Sequence, residues 1–213
     1  MIPLGALRVL LTTFGFDEGK IIATMRMLAY DKLVVITGQD SLQKKGYNRL
    51  LEIESGAPNS METIVVDVFD FMDCFRKVDE TIAKYDLPGN EVILNISGGT
   101  KVLSDAALLA GFQNGIRTFH CEEDLIELPV IIGFSVTERF TPMQRRLLRE
   151  MSSPVEVKKL EAKLSKKGYP LSSVQRAVRE LKKLDILGVD LSKKGIRLYL
   201  KESHQYFREA LAG

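Results

Sequence analysis

Cysteine is almost missing from this chain: Cys74 and Cys121 are the only two in 213 residues. Their separation matches no metal-ligand spacing, and two thiols cannot build a disulfide framework. A single bridge between them stays open, but a reduced cytoplasmic protein is the plainer reading. Long apolar runs are also missing, and none approaches the roughly 20 residues of a membrane-spanning helix. The opening stretch MIPLGALRVLLTTFGF lacks the basic leader of a signal peptide and reads as a buried first strand. Neither standard phosphate-loop fingerprint occurs, since GxxxxGK[ST] and GxGxxG are both absent. Histidine is limited to His120 and His204. His120 and Cys121 are adjacent at a strand end and so point to opposite faces. Both read as structural and His204 as an ordinary helix-surface residue, so neither a metal nor a resident cofactor is expected.

What is present is an ordinary core composition, 45% apolar, with a hidden asymmetry of charge. Residues 1–133 hold 12 Lys/Arg against 19 Asp/Glu, net −7, and residues 134–213 hold 18 against 9, net +9. This predicts two domains with that boundary. A basic second domain suits a polyanionic partner if its charges share a face; solubility alone is the other explanation.

The first domain alternates strand and helix patterns. Short apolar runs over Leu7–Thr13, Leu33–Thr37, Thr63–Asp67, Val92–Ile96, Ile116–His120 and Leu128–Ile132 predict strands. Helix-spaced apolar residues fall between most of them, with Asp17 able to cap the first helix and Thr100 the fourth. Leu103, Ala106, Ala107 and Ala110 form an inner face in that fourth helix, and Gly111 and Gly115 mark its end. Glu122-Glu123-Asp124 reads as a turn, which makes the last strand pair antiparallel. The fold class is therefore α/β with a mostly parallel sheet and helices on both faces.

Ligands of such sheets sit beyond the C-terminal strand ends. Two glycine-bearing loops lie there: Thr13-Phe14-Gly15-Phe16 and Ser97-Gly98-Gly99-Thr100-Lys101. The second runs into a helix N-terminus, whose free N–H groups suit an anion. Its glycines allow close approach, Thr100 offers a hydroxyl and Lys101 a positive charge. Asn95 and Ser97 are neutral polar groups for a sugar or base. A tight strand–helix turn with Thr100 merely capping accounts for the same residues.

The second domain reads as three helices and a hairpin, a winged helix-turn-helix. Thr141-Pro142 starts the first helix. Val155, Val157, Leu160 and Leu164 line the second. The third opens at Ser172 and Gln175, which match a capping box, and buries Val174, Ala177, Val178, Leu181 and Leu184. Its other face shows Ser173, Gln175, Arg176, Arg179, Lys182 and Lys183. As a recognition helix it places Gln175 and Arg176 at base edges and Arg179, Lys182 and Lys183 at phosphates. Lys193, Lys194 and Arg197 would follow the backbone from the wing. A winged helix used only for protein contact is the alternative. Ser203 to Leu211 reads as a last helix.

The segment LNISGGTK, Asn95 to Lys101 at its heart, resembles the signature of the CARF domain, the Rossmann-like sensing module of CRISPR-associated proteins. TTFGFDEGKI is similar to that family as well. A winged helix behind it resembles the CRISPR transcription regulators, mainly archaeal. The resemblance implies a homodimer that binds a cyclic oligoadenylate, commonly cyclic tetra-adenylate, across its twofold axis. Gly98 to Lys101 would hold phosphates, and Thr13 and Phe14 would lie near the adenosines. It implies a non-enzymatic, ligand-responsive regulator acting on double-stranded promoter DNA of CRISPR-associated genes. Slow cleavage of the ring is the minority expectation, with Ser97 and Lys101 as its residues, and docking on a CRISPR effector complex is a third.

Overall fold

The computed structural model describes residues 6–56, 61–131, 139–151, 153–192, 195–201, 204 and 207. The chain divides into two compact units, Met1–Ser135 and Val136–Gly213.

In the first unit, β1 (Arg8–Phe14), β2 (Lys32–Thr37) and β4 (Glu91–Asn95) are the most apolar segments and lie inside the sheet. Val9, Leu10 and Leu11 of β1 and Leu33 to Ile36 of β2 have no exposed surface. Helices on both faces leave such strands no polar side, so the pattern is continuous and not alternating. The remaining strands are β3 (Met61–Val65) and β6 (Leu125–Leu128) at the two edges and β5 (Arg117–Cys121) beside β6. The order is β3-β2-β1-β4-β5-β6, parallel except for β5/β6. That order reverses direction between β1 and β4, so the switch point of the sheet lies between their C-terminal ends.

The helices are α1 (Gly19–Met27), α2 (Lys45–Glu54), α3 (Phe71–Tyr85) and α4 (Lys101–Asn114), with a 3-10 turn at Gln39–Gln43 before α2. Asp70 caps α3 by accepting from the Met72 and Asp73 amides. Asp17 does not cap α1 at its N-cap position, which Glu18 holds; its carboxylate accepts from Gly19 N at 2.9 Å. α4 ends at Gly115, in the left-handed region at φ 65°. Gly111 does not end it: a Cβ there would stand 2.5 Å from Thr118 Oγ1, so this glycine lets the helix lie close on the sheet.

Two expected strands move. The sixth forms at Leu125–Leu128, and not from Leu128 onward, because the turn at Glu122 to Asp124 pairs Leu125 directly with Cys121. Pro129 then lacks an N–H for continued pairing. The third forms two residues early, at Met61–Val65.

The second unit runs α5 (Pro142–Arg149), β7 (Val155–Glu156), α6 (Val157–Lys166), α7 (Leu171–Lys183), β8 (Leu187–Ser192) and β9 (Gly195–Leu200). Its three strands are antiparallel in the order β7-β9-β8. Val155 is thus in a strand and not in the second helix. Leu147, Leu148, Leu160, Leu164, Val174, Leu181 and Leu198 form one apolar cluster. A full capping box closes α5, with Thr141 Oγ1 accepting from Gln144 N and Gln144 Oε1 accepting from Thr141 N. The box expected at Ser172 and Gln175 does not form. Pro170 holds the N-cap position of α7 and makes no side-chain cap, which puts Ser172 inside the first turn. Leu184, expected inside, is 58% exposed one residue past the helix. The expected helix from Ser203 to Leu211 and the junction at 133–138 lie outside the described residues.

Candidate ligand-binding site

The loops after β1 and β4 meet backbone to backbone. A Cβ on Gly98 would stand 2.5 Å from Thr13 O, and one on Gly15 would stand 3.1 Å from Gly99 Cα. Gly99 has φ 90°, a conformation that side-chain-bearing residues rarely adopt. Glycine is therefore required here by two separate constraints, contact and dihedral angle.

Side chains lock this crossing in place. Asn95 is fully buried; its Nδ2 donates to Thr12 Oγ1 at 3.3 Å and to Thr24 Oγ1 at 3.1 Å. Its Oδ1 accepts from both the amide and the hydroxyl of Ser97. Ser97 Oγ in turn accepts from Cys121 N at 2.6 Å. Thr100 caps α4 by accepting from Leu103 N and donates to Val68 O at 2.7 Å, which ties the β4 loop to the loop after β3. Both hydroxyls are thus already used by the protein.

A cavity of about 670 Å³ opens beside this crossing. Four segments line it: Phe14 to Asp17 at the end of β1 with Lys20 of α1, Gly38 to Ser41 after β2, Val66 to Phe69 after β3, and Ser97 to Thr100 after β4. Phe16 and Phe69, both in its lining, are 67% and 80% exposed. The charged lining residues are Asp17, Lys20, Asp40 and Asp67. Lys20 is held by Glu122 at 2.5 Å.

The structure places the candidate residues in two groups. Phe14, Gly15, Phe16, Ser97, Gly98, Gly99 and Thr100 line the cavity. Thr13, Asn95 and Lys101 stand outside the lining. Thr13 is fully buried, and its hydroxyl has no hydrogen-bond partner among the described residues. Lys101 is 86% exposed and ion-paired with Asp105. The Gly38 to Ser41 and Val66 to Phe69 segments were not anticipated. Their only sequence signal is position: they follow the two strands on one side of β1.

On α7, Ser173, Gln175, Arg176, Arg179, Lys182 and Lys183 are all exposed. Gln175 Nε2 donates to Glu161 Oε1 at 3.1 Å, and Arg176 Nε donates to Glu180 Oε1 at 2.9 Å. Arg197 is half-buried on β9; Lys193 and Lys194 lie outside the described residues. His120 Nε2 lies 3.2 Å from Glu122, and Cys121 is a buried free thiol. Among the described residues no group of three or more His, Cys, Asp or Glu is placed to hold a metal ion, and no helix is long and apolar enough to cross a membrane.

The family model described as "HFX_2341_N:-like, N-terminal" matches residues 8–124, more than half of the chain. The chain belongs to this family. No curated protein sequence matches it. Protein VC1899 from Vibrio cholerae is similar in structure at 13% identity and a TM-score of 0.50, over 95% of this chain and 64% of that one. Can2 from Sulfobacillus thermosulfidooxidans, solved in complex with cyclic tetra-adenylate, matches at 13% identity and a TM-score of 0.49, over 67% and 45%. A type III CRISPR defence DNA nuclease activated by cyclic oligoadenylate matches at 16% identity and a TM-score of 0.48, over 86% and 31%. The chain therefore spans less than two thirds of the length of each. The likeness to VC1899 is one of fold: an α/β unit with a largely parallel sheet. One expectation is corrected: the resemblance implied a non-enzymatic protein, whereas the structural matches include a nuclease.

Proposed function

We propose that residues 1–133 bind a cyclic oligoadenylate, cyclic tetra-adenylate first, in the cavity at the switch point. The observation behind this is one cavity holding both features such a ligand needs. The Gly98–Gly99 loop leads into the N-terminus of α4, where uncapped amides suit a phosphate. Phe16 and Phe69 present exposed aromatic surface on which adenines stack. Two copies of the chain would share one ring across a twofold axis.

Two consequences of binding follow. The first is cleavage of the ring. The ligand's own 2′-hydroxyl would attack the neighbouring phosphorus, lose its proton and expel the 5′-oxygen, which takes up a proton; the products are a 2′,3′-cyclic phosphate and a 5′-hydroxyl on a linear chain, and the protein would supply positioning and charge stabilisation. Ser97 and Lys101 are its candidates; the occupied Ser97 hydroxyl fits a positioning role better than a nucleophilic one. The second is control of transcription. Residues 134–213 have the element order of a winged helix-turn-helix, and α7 with its exposed basic residues would enter the major groove of promoter DNA.

Calorimetric titration of the purified protein with cyclic tetra-adenylate tests binding, with saturation expected at one ring per two chains. Absence of saturation sinks the ligand assignment. Chromatography of the same mixture over time reads linear products, and footprinting on DNA upstream of CRISPR-associated genes reads sequence-specific protection. A diffuse, salt-sensitive footprint would remove the regulator and leave cleavage or docking.

A further inference from the structure

The cavity lining contains more negative than positive charge, which opposes a ligand whose phosphodiesters are anions. The three carboxylates differ in what holds them. Asp17 accepts from Gly19 N at 2.9 Å and Asp67 from Phe69 N at 3.1 Å, so both shape the backbone of their own loops. The Asp40 side chain makes no hydrogen bond or ion pair among the described residues. It is exposed in the 3-10 turn at Gln39–Gln43, directly beyond β2.

That turn is fixed in place. Ser41 N donates to Gly38 O at 3.1 Å, and a Cβ on Gly38 would stand 2.9 Å from Val68 Cγ1, so the turn packs tightly on the loop after β3. β2 is the neighbour of β1, with Thr37 opposite Phe14. Asp40 therefore stands on the cavity wall that the Gly15 loop also lines. A carboxylate there has no structural duty and weakens phosphate binding unless it meets a donor. An oligoadenylate has donors of two kinds only, the adenine N6 amine and the ribose 2′-hydroxyl. In sheets of this strand order, an acidic residue beyond β2 is placed to take a ribose hydroxyl.

Resting on the ligand reading above, we propose that Asp40 is a specificity-determining residue: its carboxylate accepts a hydrogen bond from a ribose 2′-hydroxyl and so selects a ribo- over a deoxyribo-oligoadenylate. The carboxylate repels the phosphates of both rings alike, so the selectivity comes from the hydrogen bond that only the ribo ring can donate.

The test is a binding cycle. Wild type, Asp40→Ala and Asp40→Asn are titrated with cyclic tetra-adenylate, its 2′-deoxy counterpart and the cyclic tetra-inosinate ring, which lacks the N6 amine. Wild type is expected to bind the deoxy ring about tenfold or more weakly, the scale of one charge-assisted hydrogen bond. Asp40→Ala should bind both sugars alike and still discriminate against inosinate as wild type does. Asp40→Asn, which keeps an acceptor oxygen, should fall between. The cycle cancels any change in ring pucker caused by the missing hydroxyl. Wild-type discrimination retained in Asp40→Ala overturns the proposal. So does equal tightening of both sugars, which is simple relief of repulsion, and so does loss of discrimination against inosinate alone, which assigns Asp40 to the base. Failure of wild type to bind any ring overturns the ligand reading itself.

Discussion

The two candidate surfaces of this protein are built from different material. The cavity of the first unit is made largely of backbone and aromatic rings, held by buried hydrogen bonds through Asn95, Ser97 and Thr100. The α7 face of the second unit is made of long charged side chains, some already engaged by carboxylates of their own unit. A backbone site is preorganised and fails when its geometry is disturbed. A side-chain site must first exchange partners, and it fails gradually with charge and salt.

Gly98→Val breaks the first surface most severely. Its Cβ would meet the backbone at Thr13 O, 2.5 Å away, and neither strand of the sheet can yield. We expect stability to fall by about 1–3 kcal/mol and ligand affinity to fall more than about a hundredfold, the scale of a lost oxyanion-type cradle. Gly115→Ala is the control. Its φ of 65° is strained for alanine, but nothing lies within 4 Å of the new Cβ. It should lower stability by about 1 kcal/mol and leave ligand affinity unchanged. Thermal melts and calorimetry on both variants separate the two; equal effects on binding would mean the loop crossing does not form the site.

Phe69→Ala removes an aromatic ring that is 80% exposed, so the fold loses little. Ligand binding should weaken by about 1–3 kcal/mol, the range for one stacked base. An unchanged affinity would move the adenine elsewhere in the cavity.

These predictions also show how much was readable from the sequence. LNISGGTK was legible because its glycines, cap and preceding apolar strand all point to one turn, and β1, β2 and β4 were legible because both of their faces are apolar. The walls contributed by Gly38 to Ser41 and Val66 to Phe69 were not, because topology alone brings them to the site. The exposure of Phe69 is a tertiary fact. In the second unit, periodicity found α5 to α7 but not β7, since two residues have no period. The Ser172/Gln175 pattern failed as a cap because the Pro170 turn starts the helix two residues sooner.

The framework of the second unit is itself electrostatic. Hydrogen bonds from Lys163 and Lys167 hold the Glu150 carboxyl down at about 2, and Arg146 approaches it at 3.0 Å. The sign follows from the lowered value. Stability from this cluster is present above the ordinary pKa of 4.5 and is lost as pH falls through 4.5 toward about 2. Glu150→Gln should be less stable by about 1–2 kcal/mol at neutral pH and should show less of the acid decline. Parallel acid melts of the two units' reporters would reveal a larger change in the second. Arg176→Ala acts on the exposed α7 face of the same unit. If the proposed groove placement holds, discrimination between operator and random DNA should fall roughly tenfold in competition footprinting, and an equal loss on all DNA would reassign Arg176 to phosphate contact.

Lys101→Ala gives the smallest effect and sharpens the comparison most, because this residue is a charged side chain at the edge of a backbone site. As the first residue of α4 it places a cation at the positive end of the helix dipole, an unfavourable position. Its ion pair with Asp105 is exposed and has the weaker Lys-before-Asp order. Removing it should change stability by less than about 0.5 kcal/mol in either direction. To reach a phosphate in the cavity, Lys101 must leave Asp105, so its contribution to binding is limited by that exchange and screened by salt. We expect ligand affinity to fall several-fold at low salt, with the gap from wild type closing as salt is raised. If the two proteins bind identically at every salt concentration, the phosphate is held by the Gly98–Gly99 backbone alone, and the cavity needs no side-chain cation from this loop.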